Sequence, residues 1–337
     1  MIKERVKALW RLCFDDSETF IEMYFRLRYN NDVNIVLTSG EEVIAALQML
    51  PYSMTFCGTT IGTSYISGAC THPDYRGNGV MRELLSQAFM RMVHNGTFIS
   101  TLIPGEPWLF NYYARLGYAS VFHYSKAPIP ECHLSALPGL TIETTNEFEE
   151  AVYEYVNAQM KERPCCIQHT VTDFKVILAD LQATRDTLFV VREEEKVAGI
   201  AITYREGDSL LISELFADND EIKQHLLYQI RQATRCNAIT LIIPPVDNAA
   251  IRPIGMARII NAKGVLQLYA AAYPEHEMSI ELTDGQLSAN NGYYYLYKGK
   301  CMYDKQRLPG VHLQLTIGEL TEMILAPLHP YMSLMLN

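Results

Sequence analysis

A short segment with two closely spaced glycines constrains this chain more than any other feature. The segment Tyr75-Arg76-Gly77-Asn78-Gly79-Val80-Met81 joins a strand-like run to a long amphipathic helix. Gly77 and Gly79 let the backbone approach a ligand that side chains would hold away. The helix N-terminus adds unpaired N–H donors and a partial positive charge, and Arg76 and Arg82 lie near the same end. We therefore predict a loop that binds a diphosphate.

Two other kinds of nucleotide loop are excluded by residue type. The segment has no Gly-Lys-Ser/Thr, which a nucleoside-triphosphate loop requires, and no G-x-G-x-x-G followed by a ribose-binding acid. A plain loop with a helix cap stays open as the alternative, because an R-x-x-G run alone is weak. The downstream strand-like run and the segment Leu109–Tyr118 favour a ligand site.

Charge and composition limit the class of protein. With 337 residues, of which 49% are hydrophobic and 20% charged, the chain can form two or three domains with sizeable cores. The net charge of −10 argues against nucleic acid and suits cationic partners, although an acidic balance also serves solubility. The charged start Met1–Arg5 is unlike a signal peptide, and no apolar stretch has the length of a membrane span. We expect a cytoplasmic protein with no membrane partner.

The cysteines and histidines do not predict a metal site. The eight cysteines are scattered without CxxC or Cys/His spacing, so we expect reduced thiols. The adjacent pair Cys165-Cys166 suits neither zinc nor a typical disulfide. His312 and His329 lack further ligand partners. We therefore predict no metal.

The order of predicted elements divides the chain into three parts. Residues 1–128 form two helices, several strands, the long helix, another strand and a short helix, which is typical of an α/β layer domain. After a proline-rich connector the same order recurs over residues 129–265. Aligning the halves places Ile212–Phe216 on Ile66–Cys70, but the following helix starts at Asp218-Asn219-Asp220-Glu221. With no glycine and no cation there, the second copy lacks the diphosphate loop.

Residues 266–337 follow a different pattern. Strand-like runs at Gln267–Ala272, Met278–Leu282 and Tyr293–Lys298 precede a helix at about Ile317–Leu325, which opens with a capping-box sequence. We expect a small α+β module. The apolar C-terminal residues 327–337 predict a docked end rather than a frayed one.

Two segments together resemble the GNAT acetyltransferase superfamily: residues 71–79, Thr-His-Pro-Asp-Tyr-Arg-Gly-Asn-Gly, and residues 113–118, Tyr-Ala-Arg-Leu-Gly-Tyr. Arg76 and Gly79 match the superfamily's R/Q-x-x-G-x-G/A loop, whereas Met81 stands where glycine or alanine is usual. This departure, the degenerate second copy and the third module make the chain similar to the enhanced-intracellular-survival (Eis-like) branch. Residues 254–258 and 282–292 are also similar to it.

The resemblance implies a fold and a co-substrate. The fold would be α/β (α+β), with tandem GNAT acyl-CoA N-acyltransferase folds of mixed sheets flanked by helices and a small sterol-carrier-like C-terminal domain. Acetyl-CoA would bind the loop, and a splayed strand at 68–71 would offer N–H groups to its pantetheine and carbonyl oxygen. The implied coenzyme-binding residues are Gly68, Ala69, Cys70, Thr71, Arg76, Gly77, Asn78, Gly79, Val80, Met81 and Tyr113.

The catalytic residues follow from the same resemblance. A phenol with a pKa of about 10 stays protonated at pH 7 and can protonate a thiolate of pKa about 8.5. By family position Tyr118 is the predicted donor, with Tyr113 as the neighbouring alternative and core packing as the competing interpretation. The C-terminal carboxylate, on Asn337, is the predicted base. A carboxylate among residues 15, 16 and 18 is an alternative contact for a cationic amine, although helix capping explains most of these.

We therefore predict an N-acetyltransferase that acts on a primary amine of a small molecule or peptide in a ternary complex with acetyl-CoA. The resemblance also implies a homo-oligomer, a hexamer in that branch. Two other functions stay open: a coenzyme-binding regulatory protein without turnover, and a protein that binds an apolar ligand through its C-terminal domain.

Overall fold

Helices and strands alternate along the chain much as the sequence predicts. The computed structural model describes residues 2–130, 139–236, 238–245 and 250–336. The helices are α1 (Ile2–Cys13), α2 (Glu18–Leu27), α3 (Val80–His94), α4 (Pro107–Ala114), α5 (Glu150–Lys161), α6 (Val171–Thr184), α7 (Asp220–Thr234), α8 (Ala262–Ala272) and α9 (Ile317–Leu325).

The strands form one large and one small sheet. They are β1 (Asn34–Ser39), β2 (Glu42–Phe56), β3 (Thr59–Thr71), β4 (Ile99–Leu102), β5 (Ala119–Pro128), β6 (Leu140–Thr145), β7 (Ile167–Gln168), β8 (Thr187–Glu193), β9 (Lys196–Glu206), β10 (Ser209–Ala217), β11 (Ala238–Ile243), β12 (Arg252–Ile259), β13 (Met278–Thr283), β14 (Gly292–Tyr297), β15 (Lys300–Asp304) and β16 (Leu313–Thr316).

The two halves of the chain share the large sheet. Its order is β1-β2-β3-β4-β12-β5-β11-β10-β9-β8-β6, with β7 beside β2. The halves meet where β5 pairs with β11, and β12 returns from the end of the second half to lie between β4 and β5. The first half of the sheet therefore needs a strand from residues 252–259, and the domain limits 1–128 and 129–265 stay a prediction.

Helices cover both faces of the first half of this sheet. The helices α1 and α2 pack on one face through Trp10, Tyr24 and Phe25, which are all buried. The helix α3 packs on the opposite face with Leu84, Leu85, Ala88 and Phe89. Ser17 caps α2 by accepting from the Phe20 N–H at 3.2 Å, so the segment before α2 does supply a capping oxygen as predicted.

The C-terminal module is a four-stranded sheet, β15-β14-β13-β16, packed on α8 and α9. The predicted capping box of α9 is confirmed, because Thr316 and Glu319 exchange hydrogen bonds. The strand predicted at Gln267–Ala272 is wrong: those residues end α8. A short apolar run does not distinguish a strand from a buried helix, and here Asn261 caps a helix that buries Val265, Leu266, Tyr269 and Ala270. The sterol-carrier likeness of the module stays a prediction.

The docked C-terminal segment is confirmed up to residue 336. Tyr331 bonds to the backbone of Cys165 and Ile167, and Met332 is buried in the core that joins the first half to the C-terminal module. Across the described parts of the chain, no helix has the length and apolar character needed to cross a membrane.

Candidate functional site

The glycine loop lies exposed between β3 and α3. Gly77 and Gly79 both adopt left-handed backbone conformations, with φ of 79° and 78°, and a Cβ at either position would meet no atom within 4 Å. Gly79 is the N-cap of α3 and accepts the Glu83 N–H at 3.0 Å. The N–H groups in the first turn of α3 therefore have no hydrogen-bond partner within the helix.

Two arginines flank this loop. Arg76 Nε donates to the Thr71 carbonyl at 3.0 Å, which ties the loop to the end of β3. Arg82 lies one turn into α3 and lines a groove of about 280 Å³ with Gly79, Glu83 and Ser86. The opposite wall of that groove is the turn at residues 285–286 of the C-terminal module. The positive helix end and both cations suit an anionic ligand.

The side chain of Met81 does not obstruct the loop. It is partly buried and packs against the core between α3 and the sheet. The unusual residue at this position of the loop is therefore accommodated on the core side of the helix.

The strand before the loop is splayed, as the sequence predicts. β3 pairs with the parallel β4 only at residues 63–65, and it continues to Thr71 without that neighbour. A bulge also interrupts its pairing with β2 between residues 67 and 70. The edge of β3 that faces away from β2 can therefore offer backbone groups to an extended ligand.

Gly68 lies at this bulge, where an aromatic side chain leaves no room for a Cβ atom. Its φ is 59°, and a Cβ there would lie 2.1 Å from the ring of Trp10. The Trp10 indole N–H donates to Asp16 at 2.7 Å, which fixes the ring over the bulge. Tyr24 adds a hydrogen bond of 2.8 Å to Ser67. The helices α1 and α2 thus hold the splayed strand from one face.

Substituting the glycines should separate packing from ligand approach. We expect Gly68→Ala to lower the free energy of unfolding by about 3 kcal/mol, since it combines a left-handed conformation with overlap on Trp10. Gly77→Ala meets open space and should cost only about 1 kcal/mol. Urea unfolding of both variants measures the difference, and equal losses would contradict the contact between Gly68 and Trp10.

The two candidate tyrosines differ in the surroundings of their hydroxyl groups. The Tyr118 hydroxyl shares a hydrogen bond of 2.7 Å with Ser100, and its ring packs on Phe89 in the core. Tyr113, on α4, packs edge to face on Tyr118, with 5.7 Å between the ring centroids. Burial raises the pKa of both phenols, so both stay protonated near neutral pH. The Tyr118 hydroxyl is therefore already paired, whereas the Tyr113 hydroxyl has no hydrogen-bond partner among the described residues.

The predicted base, Asn337, lies outside the described residues. The segment before it runs toward the first half of the sheet: the Ser333 carbonyl lies 3.0 Å from His169 Nε2, and the His169 ring is 5.6 Å from that of Tyr52. Tyr52 in turn contacts Tyr65 of β3 at 6.2 Å between ring centroids. Four residues follow Ser333, and a chain of that length spans at most about 14 Å.

The alternative carboxylates near α2 are engaged in structural contacts. Asp16 accepts the indole N–H of Trp10, and Glu18 forms an exposed ion pair with Arg11 at 2.8 Å. Asp15 is exposed. The sequence predicts helix capping for most of these residues, but neither carboxylate caps α2, because Ser17 supplies that cap and residues 16 and 18 make other structural contacts.

In the second copy, a pair of charged side chains occupies the position that corresponds to Gly68 of the first copy. Glu214 is aligned with Gly68, and its carboxylate is 1% exposed and accepts two hydrogen bonds of 3.2 Å from Arg163. The Arg163 guanidinium lies 3.7 Å from the ring centroid of Tyr331, so the C-terminal segment covers the pair. A cavity of about 570 Å³ does lie at the start of α7, but its charged lining is two carboxylates, Asp218 and Asp220, against one cation, Lys223, and this balance disfavours a diphosphate.

The described ranges contain no metal-binding cluster. None of the residues there forms a group of three His, Cys, Asp or Glu side chains that could hold an ion. The site described above consists of backbone donors, arginines and tyrosines.

Comparisons with known proteins give the family of both halves. Residues 3–121 match a family model described as an acetyltransferase (GNAT) domain, and residues 175–279 match another model with the same description. A search of curated protein sequences found no match. The second match extends over β12 and α8.

Solved structures with the same fold cover nearly the whole chain. A probable N-acyltransferase from Enterococcus faecalis V583 has a TM-score of 0.76 at 17% identity, covering 95% of this chain and 86% of its own. A GCN5-related N-acetyltransferase from Anabaena variabilis has a TM-score of 0.75 at 19% identity, with the same two coverages. Eis1 from Mycobacterium abscessus has a TM-score of 0.70 at 14% identity, covering 96% and 87%. At these identities the likeness concerns the fold.

The family matches agree with the geometry of the first half. GNAT domains use acyl-CoA as a co-substrate, whose diphosphate suits the open loop at the start of α3. The fold is a tandem of GNAT folds with a small C-terminal sheet. The chain therefore contains two GNAT acetyltransferase domains and is an acyltransferase, a class that transfers an acyl group from acyl-CoA to an amine.

Proposed function

We propose that this chain is an N-acetyltransferase that moves an acetyl group from acetyl-CoA to a primary amine by direct attack in a ternary complex. The observation that carries the proposal is the open glycine loop at the N-terminus of α3, next to a strand that is splayed from its neighbour. Only the first half has this arrangement among the described residues, so the reaction is assigned there.

The loop would hold the diphosphate of acetyl-CoA. Its donors are the backbone N–H groups of residues 77–81, supported by the charges of Arg76 and Arg82. The pantetheine would then run along residues 68–71, whose outer edge lacks a partner strand. A backbone N–H at the bulge would polarise the thioester carbonyl. This assignment uses the predicted coenzyme-binding residues 68–71 and 76–81, and it leaves Tyr113 for a different role.

The reaction needs one proton removed and one supplied. The amine nitrogen attacks the thioester carbon, the C–S bond breaks, and the departing thiolate takes a proton from a phenol. The surroundings of Tyr113 support it as that donor, because its hydroxyl has no hydrogen-bond partner among the described residues. Tyr118, the first choice from the sequence, stays a prediction, although its hydroxyl is engaged with Ser100.

The C-terminal carboxylate is the proposed base for the attacking amine. The contact of the Ser333 carbonyl with His169, whose ring packs on Tyr52 of the first half, supports this role. We expect deletion of Asn337, or a C-terminal tag, to lower kcat about 10²-fold, the scale of general-base catalysis. The same tag at the N-terminus is the control. An unchanged kcat after C-terminal extension would rule out this role.

The acceptor class is a cationic amine of a small molecule or peptide. The net charge of −10 supports a cationic acceptor. An assay of thiol release from acetyl-CoA with a panel of polyamines, aminoglycosides and lysine peptides tests the proposal. Thiol release that depends on one of these amines is the expected result. Tight coenzyme binding without turnover on any amine would indicate a regulatory protein instead, and no coenzyme binding would favour an apolar ligand of the C-terminal module.

A further inference from the structure

Two thiols lie in one cluster near the end of β3, the strand that leads into the glycine loop. Cys13 is the last residue of α1, and Cys70 lies on β3 in the same buried cluster. The Cys13 thiol donates to the Thr71 carbonyl at 3.4 Å, and Arg76 Nε donates to that same carbonyl at 3.0 Å. The Cys13 thiol and the loop arginine therefore share the carbonyl group of the residue that follows Cys70.

The electrostatic surroundings activate one thiol of this pair. The Cys70 thiol and then Arg76 stabilise the Cys13 thiolate and lower its pKa to about 6, with a smaller contribution from His72. Other thiols shift in the opposite direction: burial raises the pKa of Cys57 and Cys301 to about 11. Cys13 is only partly buried, and its lowered pKa favours the thiolate, the form that attacks disulfides, once the proton shared with the Thr71 carbonyl is lost.

We propose that Cys13 and Cys70 are a redox-active thiol pair that low-molecular-weight disulfides, such as oxidised glutathione, convert into an intramolecular disulfide. Cys13 would attack one sulfur of the external disulfide and release one thiol. Cys70 would then lose its proton and attack the mixed disulfide at Cys13, which releases the second thiol. The two protein thiols are oxidised and the external disulfide is reduced to two thiols.

The reactivity of Cys70 increases at the second step, its attack on the mixed disulfide. The largest cause of the raised pKa of Cys70 is the neighbouring Cys13, and burial adds to it. Once Cys13 is in a mixed disulfide it carries no negative charge, so that cause disappears and Cys70 deprotonates more readily. The order of attack, first Cys13 and then Cys70, follows from this asymmetry and from the greater exposure of Cys13.

The disulfide would act on the loop through the shared carbonyl. A bond between the two sulfurs removes the hydrogen bond from Cys13 to Thr71 and pulls the end of β3 toward α1. A displaced Thr71 carbonyl would weaken the hydrogen bond through which it holds Arg76. We expect the oxidised chain to bind acetyl-CoA at least about tenfold more weakly, the loss expected for one charged hydrogen bond. This consequence rests on the proposed function, whereas the thiol chemistry does not.

The test treats the full chain with oxidised glutathione at pH 7 and follows its intact mass and peptide map. We expect a loss of two hydrogens and a cross-linked peptide that contains Cys13 and Cys70. Cys70→Ser should stop at one glutathione adduct on Cys13, and Cys13→Ser should give neither product. Cys301→Ser is the matched control and should still form the cross-link.

Alkylation of the unmodified chain keeps the test independent of how the variants fold. Iodoacetamide at pH 7 should label Cys13 faster than Cys301. Equal labelling, or glutathione adducts without the cross-link, would overturn the proposal. Calorimetry with acetyl-CoA then compares the reduced and oxidised chains. Equal affinities would exclude the effect on the loop, while failure of both forms to bind would contradict the proposed function and leave the thiol pair standing.

Discussion

Replacing Asp284 with alanine should lower the free energy of unfolding by about 3–5 kcal/mol, because it leaves Arg258 as an unpaired buried cation. Both side chains are fully buried, and Arg258 Nη2 donates to Asp284 at 2.6 Å. Asp284 also accepts from the N–H groups of Gln286 and Leu287 and from the side chain of Asn290. Arg258 in turn donates to the Leu116 carbonyl. The pair therefore joins the C-terminal module to the turn between α4 and β5.

The matched control is an ion pair on the surface. Arg11 and Glu18 form two hydrogen bonds but are exposed, so Glu18→Gln should leave the urea midpoint nearly unchanged. Arg258→Met removes the cation and keeps three donors on Asp284, and we expect a smaller loss than for Asp284→Ala. If Asp284→Ala unfolds at the same urea concentration as Glu18→Gln, the buried pair does not hold the module in place.

Replacing Tyr113 with phenylalanine should lower kcat about 10²-fold or more, while the affinity for acetyl-CoA changes little, because the variant loses the proton donor for the thiolate. Tyr118→Phe removes the hydrogen bond to Ser100 and should instead cost stability, about 1–3 kcal/mol, with kcat close to that of the unmodified chain. Each variant is the control for the other, since both remove one buried phenol hydroxyl.

The two tyrosine variants are compared by steady-state kinetics and urea unfolding. The reverse result, a large loss of kcat for Tyr118→Phe and none for Tyr113→Phe, would return the donor role to Tyr118, as the sequence predicts. Full activity of both variants would exclude a phenol as the proton donor.

The parts of the site that the sequence predicts are those with local causes. The loop at 76–81 follows from glycines, arginines and a helix start within a few residues, and the structure has this loop exposed at the N-terminus of α3. The helix caps at Ser17 and at Thr316–Glu319 can also be predicted from the residues next to them in the sequence. The sequence also predicts that the second copy lacks a diphosphate loop, because residues 218–221 include no glycine and no cation.

The parts that the sequence does not predict depend on contacts between distant residues. β12 lies between β4 and β5, although it is more than a hundred residues beyond either strand, and nothing local indicates that position. The ion pair of Arg163 with Glu214 fills the second copy from a separate element. The different surroundings of Tyr113 and Tyr118 depend on Ser100, which a separate strand supplies to the Tyr118 hydroxyl. Residue type alone does not separate the two phenols.

The central claim is that the first GNAT domain, and not the second, holds acyl-CoA. Calorimetric titration of the full chain with acetyl-CoA should give one site per chain. That site should be lost in an Arg76→Ala/Gly79→Val variant and kept in Asp218→Ala, which alters the corresponding cavity of the second domain. Two sites per chain, or binding that survives the substitutions in the loop and is lost with Asp218→Ala, would contradict the account.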